Sequence, residues 1–228
     1  MSDSTTVAVV GTDTGVGKTV VTAGLARELR ERGVDARAIK PAQTGHPPDD
    51  DAAFVVDACG TDEAATCLRY LEEPLAPRVA AERADDPLEY ESLLADCRRE
   101  CERVPVALLE GIGGLRVPLA GDREVVDLVA DLASGAVVVT RSGLGTLNHT
   151  ALTVDALERR GVDVFGIVCN GYEGASVAER TNPGEIDRMT DRPVETVPPL
   201  SGSDPTALAD GVRDALSRSF ADRLVEKA

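Results

Sequence analysis

The fold of this 228-residue chain is decided by one stretch, which reads TTVAVVGTDTGVGKT at positions 5–19. Positions 5–10 are rich in β-branched residues and lack polar alternation, a pattern that predicts a strand buried on both faces of a parallel sheet. A glycine-rich turn follows. Positions 19–32 then place apolar residues along one helical face, with Gly33 as a stop signal. The stretch therefore predicts a strand, a loop and a helix in that order.

The glycine-rich turn at positions 11–19 has the composition of a phosphate-binding loop. Between a strand and a helix, its backbone N–H groups and the helix N-terminus can hold phosphate oxygens. Lys18 can bridge the terminal phosphates of a nucleotide, and the Thr19 hydroxyl can bind magnesium. The spacing departs from the standard G-x-x-x-x-G-K-T pattern, because its first glycine would fall at Thr12 while Gly11 comes one residue earlier. We nevertheless predict a nucleotide site here, since the Gly-Lys-Thr end and the flanking elements are intact.

The same alternation of strand and helix patterns continues along the rest of the chain. Further strands are predicted at 36–39, 106–110, 136–140, 164–170 and 194–197, and helices at 51–58, 90–103, 125–133, 146–160, 175–189 and 205–225. Strands separated by helical patterns indicate βαβ units. We therefore expect an α/β fold of the P-loop NTPase type, with a doubly wound, mainly parallel sheet and helices on both faces. Segments 46–51 and 71–86 are predicted to be loops at the rim of the site, and residues 1–228 a single domain.

The chain is strongly acidic, with 40 aspartates and glutamates against 24 lysines and arginines and a formal net charge of -16. Such a charge repels both nucleic-acid phosphates and anionic lipid headgroups. Positions 1–6 lack the basic and apolar regions of a secretory signal, and no apolar run approaches the length of a membrane span. We expect a soluble cytoplasmic protein that binds neither nucleic acid nor membranes.

Lysine is rare in this chain, since only three of the 24 basic residues are lysines. Together with the acid excess, this composition is typical of proteins from salt-accumulating organisms. A high-GC codon bias would also favour arginine over lysine, but it explains the acid excess less well. Two of the three lysines, Lys18 and Lys40, lie where a phosphate-binding ammonium group is expected.

The five cysteines give little support for a metal site. Cys97 and Cys101 would lie one helical turn apart, but neither histidine, His46 or His149, is near them in the sequence. Free cysteines commonly act as small buried hydrophobic residues, and we interpret these two in that way.

Two features of the sequence distinguish among nucleotide-binding proteins. Partitioning-type ATPases carry an additional lysine four residues before the invariant one, and that position here is Thr14. Guanine-specific GTPases carry Asn-Lys-x-Asp after a late strand, whereas the corresponding strand here ends in Cys-Asn-Gly-Tyr at 169–172. The aspartate that reads guanine is missing. We therefore predict an adenine nucleotide, contacted by the amide of Asn170.

Five segments together resemble the dethiobiotin synthetase family. They are GTDTGVGKT at 11–19, KPAQTG at 40–45, an aspartate at 51, EGIGG with VPL at 110–114 and 117–119, and LGTLNHTALT at 144–153. Their order and spacing extend over nearly the whole chain. The resemblance implies an ATP- and magnesium-dependent ligase of biotin synthesis. Such an enzyme joins CO2 to 7,8-diaminononanoate, closes a cyclic urea and releases ADP and phosphate.

The resemblance also implies roles for particular residues. Lys18 and Lys40 are the expected catalytic cations, which neutralise charge while a carbamate attacks the γ-phosphate of ATP and forms a carbamic-phosphoric anhydride. Magnesium ligands are expected at Thr19, Asp51 and Glu110, with Asp50 as the alternative to Asp51. The expected ATP contacts are Gly15, Val16, Gly17, Lys18, Thr19, Val20, Asp51, Glu110, Gly111, Ile112, Gly113, Asn170, Gly171, Pro198, Pro199 and Leu200. The expected substrate contacts are Thr44, Gly145, Thr146, Leu147 and Asn148.

In the family, the segment at 144–148 comes from the partner subunit, which implies a homodimer with two shared active sites. Two other functions remain open at this point. An amidoligase related to cobyrinate a,c-diamide synthase would share the nucleotide domain but would append a glutamine amidotransferase domain. A partitioning-type dimeric switch ATPase would hydrolyse ATP without a diamine. Thr14 and the Lys40-Pro41 pair argue against the switch ATPase.

Overall fold

The computed structural model describes residues 4–226, and its centre is a seven-stranded sheet. The described strands are β1 (Thr5–Gly11), β2 (Ala36–Lys40), β3 (Gln43–Thr44), β4 (Ala65–Cys67), β5 (Tyr70–Leu71), β6 (Val106–Gly114), β7 (Pro118–Ala120), β8 (Arg123–Glu124), β9 (Gly135–Arg141), β10 (Asp163–Asn170) and β11 (Val194–Val197). The sheet has the order β11-β10-β9-β1-β6-β2-β4, and every neighbouring pair is parallel. The predicted parallel α/β sheet is confirmed.

Helices cover both faces of the sheet. The described helices are α1 (Lys18–Glu31), α2 (Asp51–Cys59), α3 (Pro77–Arg83), α4 (Tyr90–Cys101), α5 (Val125–Leu132), α6 (Thr146–Glu158), α7 (Val177–Thr190), α8 (Pro205–Ala215) and α9 (Arg218–Glu226). Helices α1, α2, α8 and α9 pack on one face, and α4 to α7 pack on the other. Within residues 4–226, no helix is both long enough and apolar enough to cross a membrane.

The hydrophobic core consists of two clusters, one on each face of the sheet. In β1, Val7 and Val9 pack on the α1 side, whereas Ala8 and Val10 pack on the side of α4 to α7. All residues of β1 are buried, as the run of β-branched residues predicts for a central strand. Because β1 lies in the middle of the sheet, the loop that follows it is anchored by a well-packed strand.

Two predicted segments contain a helix or a helix break that the sequence patterns did not predict. Positions 71–86, predicted to be a loop, contain α3, which begins with Pro77 at a position where the fixed φ of proline is favourable. The prolines and acids around it give this segment the composition of a loop. Positions 205–225, predicted to be one helix, form α8 and α9. The break occurs because Leu216 is extended and the Ser217 hydroxyl accepts a hydrogen bond from the Phe220 N–H at 3.3 Å, which starts a new helix.

The strand β6 continues beyond its predicted end at Glu110 as far as Gly114, and Gly11 of β1 pairs with Gly114. Glycines have low strand propensity, which explains the shorter prediction. The ends of β1, β2 and β6 are neighbours at one edge of the sheet. This edge is where ligands bind in open α/β sheets, and the predicted site residues of these three strands meet there.

Candidate active site

The phosphate loop, residues 11–17, connects β1 to α1 and requires glycine at its last position. Gly17 precedes α1 with a φ of 93°, a conformation that other residues rarely adopt. Space is also restricted, because a Cβ at Gly17 would lie 2.0 Å from Nδ2 of Asn170. The same Asn170 nitrogen donates a hydrogen bond to the Val16 carbonyl at 2.9 Å. Asn170, at the end of β10, therefore holds the phosphate loop in place.

Lys18 begins α1 and is buried, with 7% of its surface exposed. Its Nζ donates a hydrogen bond to the Asp13 carbonyl at 3.0 Å, so the side chain folds back over the phosphate loop. Burial, together with the positive charge of Lys40, lowers the pKa of Lys18 to about 8. An anion placed near the two ammonium groups would stabilise both charges. The electrostatics of the cleft therefore favour a bound phosphate.

A second buried lysine, Lys40 at the end of β2, lies between two carboxylates. Its Nζ donates hydrogen bonds to Glu110 Oε1 at 2.9 Å and to Asp51, and the residue is 5% exposed. Burial alone would lower the pKa of Lys40, but the negative charges of Glu110 and Asp51 raise it above the ordinary value. Lys40 is therefore a fixed cation on the floor of the cleft.

Thr19, Asp51 and Glu110 bring three oxygen-bearing side chains together beside Lys40. The Thr19 hydroxyl donates to Glu110 Oε1 at 3.0 Å. Burial raises the pKa of Glu110, so a further cation nearby would stabilise its charged form. Mg²⁺ in nucleotide sites commonly takes one or two carboxylates together with phosphate oxygens and water. Two carboxylates and one hydroxyl therefore fit Mg²⁺.

The adjacent acids Asp50 and Asp51 have different partners. The Asp50 carboxylate caps α2, where it accepts a hydrogen bond from the Ala53 N–H at 2.9 Å and another from the Tyr70 hydroxyl at 3.1 Å. Asp51 is the first residue of α2, and its carboxylate contacts Lys40. Its backbone N–H donates to Oε1 of Gln43 at 3.2 Å. Asp51, rather than Asp50, contacts the charged floor of the cleft.

These groups open into a cleft of about 970 Å³. Its walls are formed by the phosphate loop, the first residues of α2 and α3, and the segment around the end of β6. Phe54, Leu75 and Val117 contribute apolar surface, and the acids at 49–51 contribute negative charge. The volume lies at the upper end of the range for small-molecule sites and has room for more than one small ligand.

Most residues predicted to bind phosphate, metal or substrate lie at this cleft. Those that line it are Gly15, Gly17, Lys18, Thr19, Val20, Lys40, Thr44, Asp51, Ile112 and Gly113. Val16 and Glu110 are buried, and the Gly111 carbonyl lies 3.5 Å from Nζ of Lys40. The structure thus brings the central predicted residues together.

The residues predicted to contact adenine lie outside the lining of this cleft, at the ends of β10 and β11. They are Asn170, Gly171, Pro198, Pro199 and Leu200. The Asn170 NH₂ group is engaged with the phosphate loop, and the Gly171 carbonyl accepts a hydrogen bond from the Ser142 hydroxyl at 3.0 Å. Leu200 packs closely over Gly211 of α8. Adenine contacts at these residues stay a prediction.

The other residues predicted to bind substrate, Gly145, Thr146, Leu147 and Asn148, form the start of α6 and also lie outside the lining of the cleft. Thr146 is 3% exposed, and its hydroxyl is hydrogen-bonded to that of Thr140 inside the protein. Only its backbone is therefore available to a ligand. The preceding Leu144 is 91% exposed.

Three residues near the site make contacts that the sequence patterns did not identify. Gln43 accepts the Asp51 N–H, Arg141 donates to the Thr14 carbonyl at 3.0 Å, and Thr140 contacts the phosphate loop. Gln43 stands inside the KPAQTG segment, so a signal was present there. Thr140 and Arg141 end an ordinary buried strand, which gives no such signal.

The parallel sheet, the phosphate loop and the buried lysines define the chain as a nucleotide-binding protein of the P-loop class. A family model described as an AAA domain matches residues 5–206. A ParA family ATPase from Chlorobium tepidum superposes with a TM-score of 0.61 at 13% identity, covering 99% of this chain and 98% of that one. The septum site-determining protein MinD from Pyrococcus horikoshii, complexed with Mg-ADP, gives 0.61 at 18% identity, covering 98% and 95%. At these identities the similarity shows the fold alone.

Sequence comparison is more specific. The ATP-dependent dethiobiotin synthetase BioD of Haloferax mediterranei is 58% identical over 209 residues, which cover 92% of this chain and 90% of that protein. The protein of the same name from Bacillus licheniformis is 37% identical, covering 93% of each chain. This chain belongs to the dethiobiotin synthetase family, as the resemblance of its motifs predicted.

Proposed function

We propose that this chain is the ATP- and Mg²⁺-dependent ligase that converts 7,8-diaminononanoate and CO2 to dethiobiotin, ADP and phosphate in biotin biosynthesis. Membership of the family supports the ATP-dependent ligase activity. One structural observation carries the proposal for the chemistry. Two buried lysines, Lys18 and Lys40, line one cleft together with oxygen donors of the kind that bind Mg²⁺.

The proposed reaction has three steps. One amine of the substrate combines with CO2 and loses a proton, which gives a carbamate. A carbamate oxygen then attacks the γ-phosphorus of ATP, the bond to the bridging oxygen breaks, and ADP leaves. In the last step the second amine attacks the carbonyl carbon of the mixed anhydride and loses a proton, while the bond from that carbon to the phosphate oxygen breaks. The products are a cyclic urea and phosphate.

The second step brings two anions together, so it depends on positioned cations. Lys18, at the start of α1, suits the phosphates of bound ATP in the ground state. Lys40 lies on the floor of the cleft, held by Glu110 and Asp51, where it can face the charge that develops between the carbamate and the γ-phosphate. This division of roles predicts different kinetic effects when each lysine is replaced.

Thr19, Asp51 and Glu110 are the proposed magnesium ligands, and Mg²⁺ held there would neutralise phosphoryl charge during transfer. Asp51 is supported over Asp50 because Asp50 is occupied as the cap of α2. Gln43 fixes the backbone of Asp51 through its side-chain oxygen.

The cleft also suits the proposed diamine. Its apolar residues Phe54, Leu75 and Val117 can pack against an alkyl chain, and Thr44 offers a hydroxyl. The acids at 49–51 would attract a diammonium ion. The substrate carboxylate is assigned to the N-terminus of α6 from a partner subunit, at Gly145, Thr146, Leu147 and Asn148. The active form is therefore proposed to be a homodimer with shared sites.

The remaining assignments follow from the same family resemblance and from composition. Adenine is proposed to lie near Asn170, Gly171, Pro198, Pro199 and Leu200. We further propose that residues 1–228 form one domain, and that the protein acts in the cytoplasm of a salt-accumulating cell without nucleic-acid partners. The acid excess supports two of these proposals, the salt-accumulating cell and the absence of nucleic-acid partners.

Phosphate release from ATP is expected to require the diamine and bicarbonate together, because the attacking group forms from both. The measurement is steady-state phosphate release with Mg²⁺ and ATP, omitting each component in turn. Omission of either the diamine or bicarbonate is expected to reduce release to background. Equal release with water alone would assign the chain to the switch ATPases instead.

Asp51→Asn is expected to reduce turnover by about 100-fold and to raise the Mg²⁺ concentration needed for half-maximal rate, because it removes one anionic ligand. Asp50→Asn is the matched control. Asparagine caps helices about as well as aspartate, so this variant should keep the start of α2 and stay within about threefold of the parent rate. The check is turnover across a magnesium series. A large loss confined to Asp50→Asn would transfer the metal role to Asp50.

A further inference from the structure

Buried hydroxyl groups connect the phosphate loop to the start of α6. Oγ1 of Thr140, near the end of β9, lies 3.1 Å from Oγ1 of Thr12 in the phosphate loop and 2.8 Å from Oγ1 of Thr146, the first residue of α6. Thr150, one turn along α6, donates to Thr140 at 3.0 Å. Thr140, Thr146 and Thr150 are 1%, 3% and 0% exposed. We refer to these four residues as the threonine cluster.

Within the threonine cluster, Thr140 contacts both the phosphate loop, through Thr12, and the start of α6, through Thr146. A hydroxyl has one proton to donate and two lone pairs that accept. Thr140 accepts from Thr150, which leaves one proton and one lone pair for Thr12 and Thr146, so Thr140 donates to one of these two residues and accepts from the other. The hydrogen bond at the phosphate loop and the hydrogen bond at α6 are therefore linked through one proton.

Neighbouring residues of β9 fasten the same loop. The Thr12 N–H donates to the Val139 carbonyl at 3.0 Å, and Arg141 donates to the Thr14 carbonyl at 3.0 Å and to the Asp13 carboxylate at 3.3 Å. Three consecutive residues of β9 thus contact the phosphate loop. The chain then continues directly through residues 142–145 into α6.

The connecting segment 142–145 is fixed on its other side. Asn182 of α7 is 4% exposed, and its NH₂ group donates to the carbonyls of Ser142 at 2.8 Å and Gly143 at 3.2 Å. The Ser142 hydroxyl donates to Gly171 at the end of β10. With this segment held by α7 and β10, the side chains of Thr146 and Thr150 provide the direct hydrogen-bonded connection between Thr140 and α6.

We propose that Thr140 is a positioning residue that couples occupation of the phosphate loop to the start of α6. Lys18 donates a hydrogen bond to the Asp13 carbonyl, next to Thr12. In this proposal, Lys18 releases that carbonyl when its ammonium group turns to a bound phosphate. The resulting change at Thr12 reaches Thr146 through the Thr140 hydroxyl. If α6 serves the partner subunit's cleft, which rests on the proposed function, the nucleotide in one subunit adjusts affinity for the substrate carboxylate in the other. Such coupling is reciprocal.

The test measures amide hydrogen exchange in the full-length protein with and without Mg²⁺ and β,γ-imido-ATP. In the parent protein, nucleotide is expected to slow exchange at 146–152 by at least about fivefold, the lower end of typical coupling between sites. In Thr140→Val, which removes the hydroxyl and keeps the shape, protection of residues 12–22 should persist. The effect on 146–152 should fall below about twofold. Thr140→Ser should restore it.

Thr153→Val is the matched control, because among residues 4–226 the Thr153 hydroxyl donates only to the His149 carbonyl of its own helix, at 2.8 Å. In Thr153→Val, nucleotide should slow exchange at 146–152 as much as it does in the parent protein. Thr146→Val interrupts the threonine cluster at its other end and should behave like Thr140→Val, which keeps the test valid if the latter folds poorly. The proposal would be overturned if nucleotide still slowed exchange at 146–152 in both Thr140→Val and Thr146→Val. It would also be overturned if this effect were lost in Thr153→Val, or if nucleotide had no effect on 146–152 in the parent protein.

A second readout separates this inference from the proposed function. In the parent protein, saturating nucleotide is expected to lower the KM or Kd for the diamine, and in Thr140→Val this dependence should disappear with a smaller change in kcat. The exchange experiment needs no diamine. Absence of diamine-dependent phosphate release would therefore refute the proposed function, while the coupling is judged independently by exchange at 146–152.

Discussion

Lys40→Ala is expected to lower turnover by about three orders of magnitude while nucleotide binding is largely retained. The Lys40 ammonium lies between Glu110 and Asp51, and its hydrogen bonds go to these two carboxylates and to the Gly111 carbonyl, all outside the phosphate loop. Its charge is used when the carbamate and the γ-phosphate approach, so its loss raises the barrier more than it weakens ATP binding. The measurements are kcat for phosphate release and the Kd for β,γ-imido-ATP. In Lys18→Ala, kcat for phosphate release should fall and the Kd for β,γ-imido-ATP should rise.

Structural damage must be separated from loss of catalysis in this variant. Removing one partner of a buried ion pair costs about 3–5 kcal/mol, because the remaining charge is uncompensated. Lys40→Ala leaves the carboxylates of Glu110 and Asp51 without their cation, so thermal unfolding should be followed with and without Mg²⁺. Lys40→Arg supplies the control. It keeps the buried charge, but its planar guanidinium cannot reproduce the ammonium geometry, so stability should recover more than turnover does.

Near-parental turnover in a folded Lys40→Ala protein would remove Lys40 from the mechanism and leave it as a structural ion-pair partner. A parallel loss of nucleotide affinity and turnover would instead place Lys40 with Lys18 in ground-state binding. The two lysines are comparable in burial, so exposure does not distinguish their roles. The ratio of kcat loss to Kd loss does.

The sequence predicts those parts of the fold whose local pattern agrees with their environment. Strand β1, the phosphate loop and α1 follow one another as predicted, because a central strand buried on both faces must be apolar throughout. The two-residue strands β3 and β5 are too short to show any periodicity. Helix α3 was not predicted because the prolines and acids around it have the composition of a loop. The break at Ser217 depends on one local hydrogen bond. Such features depend on contacts that a pattern does not contain.

The same distinction applies to the site. Lys40 and Glu110 could be predicted because they lie on neighbouring strands where ligands bind in α/β sheets. The support of the phosphate loop by Asn170 could not, since Asn170 and Val16 are separated by 154 positions. The contact between Thr12 and Thr140 spans 128 positions, and although Thr12 lies in the phosphate loop, Thr140 belongs to a buried strand whose pattern gives no sign of this contact. Only the folded arrangement shows that they meet.

Dilution below the dimer dissociation constant is expected to abolish activity without unfolding the chain. The start of α6 does not line its own cleft, and Leu144 beside it is almost fully exposed, which suits contact with a second subunit. At a net charge of -16 per chain, two subunits repel at low ionic strength. The Debye length falls to about 3 Å at 1 M salt, so dimerisation and activity should rise together with KCl. Light scattering and phosphate release across a salt series test this.

Mixing two inactive variants gives the sharpest form of this test. Lys40→Ala inactivates the cleft, and Asn148→Asp places a negative charge at the exposed start of α6. This charge repels the substrate carboxylate, but it stabilises the helix through its interaction with the positive end of the helix dipole. If each site combines the cleft of one subunit with α6 of the other, a mixed dimer contains one site built entirely from parental residues. Random pairing should then restore about a quarter of the parental rate, although each variant alone is inactive. An active monomer, or no recovery in a mixture that light scattering shows to be dimeric, would refute shared sites, because a site within one chain cannot be complemented by another.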